Sequence, residues 1–264
     1  MKNILPLLLL IAVFTSCVKD RSSIPSGASV KSLVLKADTV TTTDSLRLGL
    51  IAYYPFNGNV VDSSGNGNNG TPYNLKSVAN RFGTPNSAYC FDGSSSYITV
   101  KDNVQLRLNN TDFTFNAWVD LEKYGHTYGS SLITKRISGA NNGWLWSISG
   151  DLSTPPHVLS YGAGGGSVNA FSNSVVPTQH WHMLTTVYTH NNQQVSFYID
   201  GVLDGRVNNI LTPNPTITAL MYIGRDNPDS GSDGYFFKGI LDDVRIYNRA
   251  LSANAIQKLF TTAY

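Results

Sequence analysis

The chemistry available to this chain is bounded first by its carboxylates. Glu122 is the only glutamate, and the stretch Asp120-Leu121-Glu122 is the nearest approach to a paired acid on one strand face. Glycosidic hydrolysis generally needs two carboxyl groups about 5 to 10 Å apart, one as acid and one as nucleophile or base. The remaining aspartates, such as Asp92 in FDG and Asp200 in YIDG, sit where ordinary turns use them. Cys90 lies in an apolar run without an adjacent base and reads as a small buried hydrophobe. His180 and His182 share a strand face at i, i+2, but no third ligand accompanies them, and no HExxH pattern occurs. The loop Asp226 to Gly234, DNPDSGSDG, lacks the ligand spacing and closing Glu of an EF-hand and reads as a polar turn. No catalytic residue is assigned. Hydrolysis or lyase chemistry by an unrecognised aspartate pair stays as an alternative.

The elements that position these residues are short strands. From Leu50 onward, runs of four to eight residues alternate or are wholly apolar, with Gly, Asn, Asp or Pro between them. Strands are expected over Gly49–Phe56, Ala88–Phe91, Tyr97–Val100, Asp112–Val119, Ser131–Lys135, Trp144–Ser149, Trp181–Thr189, Gln194–Ile199, Ala219–Gly224 and Gly239–Ile246. His190-Asn191-Asn192 and Asp200-Gly201 suit hairpin turns, the latter at positions that need positive φ. One helix is expected over Leu251–Phe260, capped by Ser252. Many short antiparallel strands rich in inward aromatics predict an all-β fold of two stacked sheets.

The chain has 264 residues, 41% of them apolar, enough for one globular domain with short appendages. Its net charge of +2 builds no field to draw nucleic acid. Residues 1–17, MKNILPLLLLIAVFTSC, read as a secretory signal with a basic start and an apolar segment too short to span a bilayer. Phe14 to Cys17 resembles the bacterial lipobox, although Phe14 replaces the usual Leu. That resemblance implies export and acylation of Cys17, anchoring the chain to an outer membrane, on its periplasmic side or at the cell surface. Residues 18–48, rich in Ser, Thr, Lys and Asp, read as a tether, and residues 49–264 as the domain.

YYPFNGNVVDSSGNGNNG, RFGTPNSAYCFDGSSSYITV, FTFNAWV, WHMLTTVY, VSFYIDGVLDG, YIGRDN and FKGILDDVRIYNRALS occur in that order along the domain. This series resembles the laminin-G-like or concanavalin A-like lectin/glucanase jelly rolls. The resemblance implies a jelly-roll β-sandwich of two curved antiparallel sheets, a structural calcium ion, and frequent carbohydrate or glycoprotein binding. By motif position, calcium would take the carbonyls of Pro55 and Gly93 and the carboxylate of Asp242, with Asp62 as a further candidate. Asp242 and Asp243 are adjacent, so on a regular strand they point to opposite faces and only one is a ligand. The E-x-D-x-E strand of the related glucanases has no counterpart here.

Sugar recognition needs aromatic platforms for ring faces and planar polar groups for hydroxyls. The region from Tyr124 to Tyr161 supplies both, and Tyr128, Arg136, Asn142, Trp144 and Tyr235 are the candidate ligand contacts. Trp144 and Trp146 share a strand face, so core packing is the competing account of that pair. The expected function is a non-catalytic carbohydrate-binding module on the cell envelope. A structural or adhesive protein that binds another protein is the second alternative.

Overall fold

The computed structural model describes residues 42–125, 127, 129–137, 143–163, 170–213, 218–228 and 234–262. The proposed signal, Cys17, Tyr128, Asn142 and most of the tether lie outside them.

The strands form two antiparallel sheets, and the central strands are buried along most of their length. The first contains β1 (Leu50–Tyr54), β3 (Lys76–Val78), β4 (Ala88–Asp92), β6 (Phe113–Lys123), β11 (Trp181–Thr189), β12 (Gln194–Ile199), β13 (Val202–Val207) and β15 (Lys238–Tyr247). Its order is β13-β12-β11-β6-β15-β4-β3, with β1 also on β15. The second contains β2 (Gly70–Tyr73), β5 (Tyr97–Val100), β7 (Gly129–Arg136), β8 (Gly143–Ser149), β9 (Val158–Ala163), β10 (Ala170–Val175) and β14 (Met221–Ile223). They run β10-β9-β8-β7-β14-β5-β2.

Between the sheets lies an aromatic core. Phe115 stands 4.7 Å from Trp144 and 5.7 Å from Trp146, and Phe113 stacks on Tyr188 at 4.9 Å. The indole N–H groups are satisfied in place, Trp144 donating to the Leu106 carbonyl and Trp146 to the Thr186 hydroxyl. Such burial of large rings supplies most of the hydrophobic stabilisation.

The two chain ends of the domain meet as neighbouring strands, with Leu50 opposite Tyr247 and Tyr54 opposite Val244. The other half of β15, Lys238 to Leu241, pairs instead with β4. Between those two pairings the strand bulges: Asp243 has φ +51°, and the register on β6 shifts between Asp242 and Arg245. Asp200 and Gly201, both at positive φ, make the expected tight turn from β12 to β13.

The helix α2 (Ala253–Thr261) begins where Ser252 caps it, the serine oxygen accepting from the Ala255 N–H. It covers the outer face of the first sheet, where Ile256 and Leu259 pack with Trp118, Met183 and Tyr247. A short helix α1 (Thr42–Arg47) joins this layer through buried Leu46, and Arg249 donates to the carbonyls of Ser45 and Leu48. The last residues assigned to the tether therefore belong to the domain. One buried side chain and a cross-chain guanidinium hold them there.

Candidate functional site

Inward residues of the second sheet make the core, so the alternate residues face away from it. On β8 Trp144, Trp146 and Ile148 point in, while Leu145 and Ser147 point out. The outward set, with Ser131 of β7 and Phe171 of β10, lines a cavity of about 400 Å³. Its rim includes Leu152, Ser153 and Thr154. That loop is tied down by Asp151 and Leu152 N–H bonds to the Gly125 and Thr127 carbonyls and by Ser149 Oγ donating to Pro155 O.

Arg136 forms one wall and is held from behind. Its Nε lies 3.2 and 3.1 Å from the two carboxylate oxygens of Asp226, and its Nη2 also donates to that group. Asp226 is fully buried, and Asn227 donates to the Arg136 carbonyl at 2.7 Å. This forked geometry fixes the guanidinium plane at the cavity.

Tyr235 stands between that cavity and a second one of about 480 Å³, which also includes Asp92, Lys123, Tyr124 and Lys238. Its backbone is set by φ +44° and by the Ser131 N–H, which donates to the Tyr235 carbonyl at 2.9 Å. Asp92 is withdrawn from chemistry. Despite the opposing effect of its burial, hydrogen bonds from Ser94, Ser95 and Ser96 keep its carboxyl well below the usual range.

Beyond Phe236 an aromatic row continues along the same face. Tyr73 stacks on Tyr97 at 4.5 Å, Tyr97 lies 6.2 Å from Tyr222, and the Arg225 guanidinium sits 4.9 Å over Tyr97 and 4.6 Å over Phe236. Tyr73 is 41% exposed, so its ring face is open to solvent. Tyr73, Tyr97 and Tyr222 come from three separate short strands, so no single sequence motif marks the row.

Arg136 and Tyr235 thus line one cavity. Trp144 is corrected: it is fully buried on the inner face, packed on Phe115, and cannot meet a ligand. Its outward neighbours Leu145 and Ser147 line the cavity instead. The period of two along β8, which puts Trp144, Trp146 and Ile148 on one face and Leu145 and Ser147 on the other, decides this placement where residue type does not.

The proposed calcium ligands do not converge. Asp92 pairs with Lys238, which puts Gly93 five register positions from Asp242, about 16 Å along the strand. A calcium ion holds its oxygens within about 2.6 Å and cannot bridge that gap. Asp242 is instead met by Arg81, whose Nη1 lies 2.5 Å from its carboxylate, while Nη2 lies 2.8 Å from Asp243. The bulge at Asp243 overrides the expected opposition of the two side chains, so both face one guanidinium. Asp62 spends both oxygens on its own loop, accepting from the N–H groups of Tyr53, Ser64 and Asn68 and from the Ser64 hydroxyl. Pro55 follows directly after the pair Tyr54 and Val244, on the bulge side of β1.

The family model described as the concanavalin A-like lectin/glucanases superfamily matches residues 92–257, well over half of the chain. The chain belongs to that superfamily. Among solved structures, this member is similar to domain 4 of the extracellular arabinanase AbnA from Geobacillus stearothermophilus, solved with arabinotriose. The likeness has 22% identity and a TM-score of 0.62, covering 80% of this chain and 98% of that one. It is also similar to the binding domain of Paraclostridial Mosquitocidal Protein 1, at 17% identity and a TM-score of 0.63. A botulinum neurotoxin DC binding domain in complex with SialylT matches at 16% identity and a TM-score of 0.59. The chain covers 52% of each toxin domain and 81% of itself. No curated protein sequence matches it significantly.

Proposed function

We propose that this domain is a non-catalytic module that binds carbohydrate on the outer face of its second sheet. The observation that carries the proposal is the cavity between Arg136 and Tyr235. Hydroxyls of Ser131 and Ser147 share that space with the apolar faces of Leu145 and Phe171, and a guanidinium is fixed from behind by buried Asp226. Apolar faces suit the C–H sides of a sugar ring, and the hydroxyls and guanidinium suit its oxygens. The described lining of this cavity includes no Asp, Glu, His or Cys. Its chemistry is that of recognition.

Tyr235 stands in both cavities, and the Tyr73–Tyr97 row extends the same face, which suits a chain of several sugars better than one. The arabinotriose bound to the structurally similar arabinanase domain supports this class of ligand. The test is titration of the protein with arabino-oligosaccharides and a glycan array, using Tyr235→Asn, which removes the ring yet tolerates the positive φ. Loss of at least tenfold in affinity is expected. Binding unaltered by the substitution contradicts the assigned site.

The N-terminal residues support a second part of the proposal, export of the chain and acylation of Cys17 at the cell envelope. Metabolic labelling with palmitate should mark the protein and fail to mark Cys17→Ser. Equal labelling of both refutes the anchor.

A further inference from the structure

The outer face of the second sheet carries a guanidinium besides Arg136. Arg225 lies in the angle between Tyr97 and Phe236, its Cζ 4.9 Å from one ring centroid and 4.6 Å from the other, with the two rings 6.3 Å apart. Tyr222 stands at 5.8 Å. The Nε donates to the Asp226 carbonyl at 2.8 Å, so backbone and ring faces together fix the head group. Gly234, at φ +84°, passes close by: a Cβ there would lie 2.8 Å from the Phe236 ring and 3.2 Å from the Arg225 Nη2. Bare backbone at that point leaves the guanidinium uncovered.

The charge of Arg225 is unmatched. The Asp226 carboxylate is spent on Arg136, and only its backbone oxygen reaches Arg225. Among the described residues no carboxylate forms an ion pair with Arg225, and its Nη1 and Nη2 make no hydrogen bond. Neither nitrogen is sealed from solvent, and the residue is partly exposed. A planar fork held in place, with two open nitrogens and no counter-charge, matches a carboxylate taken bidentately. The neighbouring cavity of about 480 Å³ offers no rival centre. Its Lys123 and Lys238 stand against Asp92 and against Glu122, which lies 2.8 Å from Lys238, so its formal charges balance.

We infer that Arg225 is the subsite for a carboxylate-bearing sugar unit, so that the chain bound along this face is an acidic oligosaccharide. The inference rests on the carbohydrate reading above and narrows its ligand class. Phe236 lines the larger cavity beside Tyr235, and Arg225 lies over Phe236, so a chain leaving Tyr235 along this face reaches the open fork. There the carboxylate takes Nη1 and Nη2, and the exposed ring of Tyr73, stacked on Tyr97, offers an apolar platform to the sugar ring.

The experiment is calorimetric titration of the full chain with galacturonate and mannuronate oligomers, each compared with its own methyl ester, and with neutral arabino-oligosaccharides. The ester keeps the shape of the chain and removes the charge, so this comparison in wild type needs no variant. At least one free acid should bind tenfold or more tighter than its ester. Arg225→Gln should erase that difference while binding arabino-oligosaccharides as wild type does, which also shows that the variant is folded. Lys123→Gln should keep the difference, and Tyr235→Asn should weaken acidic and neutral chains alike. Free acid and ester bound equally in both series, or an equal loss in Lys123→Gln and Arg225→Gln, overturns the inference. If arabino-oligosaccharides still bind through Tyr235 in that case, the carbohydrate reading stands without it, whereas binding of no chain at all removes both.

Discussion

Asp102 carries two cations. Lys135 Nζ lies 2.6 Å from one of its oxygens and Arg107 Nη2 lies 2.6 Å from the other. The Lys135 side chain is fully buried, and burial pushes its ammonium down while Asp102 pulls it back. Hydrogen bonding from Arg107 first, with help from Lys135, holds the Asp102 carboxyl down at about 2. A carboxyl held below its ordinary value stabilises the fold above about pH 4, and that contribution disappears as pH falls from about 4 to about 2. Urea unfolding of Asp102→Asn should therefore lose part of the wild type's acid sensitivity in that window. Asp102→Ala, which leaves the buried ammonium only the Ala219 carbonyl as a partner, should cost about 3 to 5 kcal/mol. Loss below 1 kcal/mol would mean that this carbonyl alone is enough for Lys135.

At the scale of the element, the bulge in β15 joins three strands and two arginines, Arg81 and Arg245, the latter 3.0 Å from Asp243. It sits where β15 changes partner from β4 to β1, and Tyr53 of β1 donates to Asp243 at 2.6 Å. Burial first, then the charge of Asp243, push Asp242 up to about 7 against the pull of Arg81. The sign is opposite to that of Asp102. The native state holds a proton that the unfolded chain has released, so stability falls as pH rises from about 4 to about 7. The melting temperature should rise on acidification from pH 8 to 5, and Asp242→Asn should flatten that rise. With Arg81 on both carboxylates, EDTA should leave the melting temperature unchanged, and a fall in EDTA would restore the calcium assignment.

The expected strands at Tyr97–Val100, Trp181–Thr189 and Gln194–Ile199 match β5, β11 and β12, because β-branched and aromatic runs bounded by turn residues keep their extended form on packing. The bulge was not legible, since period two holds only while the ladder is regular. Nor was α1: TTDSLR has one apolar residue, and its place depends on a contact with α2. A chain beginning at Gly49 should melt several degrees below one beginning at Thr42. Equal melting temperatures would return α1 to the tether.

For the whole molecule, the two sheets present different outer faces. The first sheet carries the chain ends, Arg81 and the helical layer, while the second turns serines, tyrosines and a fixed arginine outward. Fold class was readable from turns and alternation, and chemistry singled out Arg136 and Tyr235, which line the proposed cavity. The rest of its lining was hidden because it is made of serines, leucines and one phenylalanine, ordinary residue types given meaning only by the face they occupy. Among the described residues, no helix is long and apolar enough to cross a membrane. That the second sheet's outer face binds carbohydrate is the proposal on which the functional reading stands, and calorimetric titration of wild type and Tyr235→Asn with arabino-oligosaccharides of increasing length tests it. The account predicts affinity that grows with chain length in wild type and falls at least tenfold in the variant. Binding by neither protein, or by both alike, would contradict it.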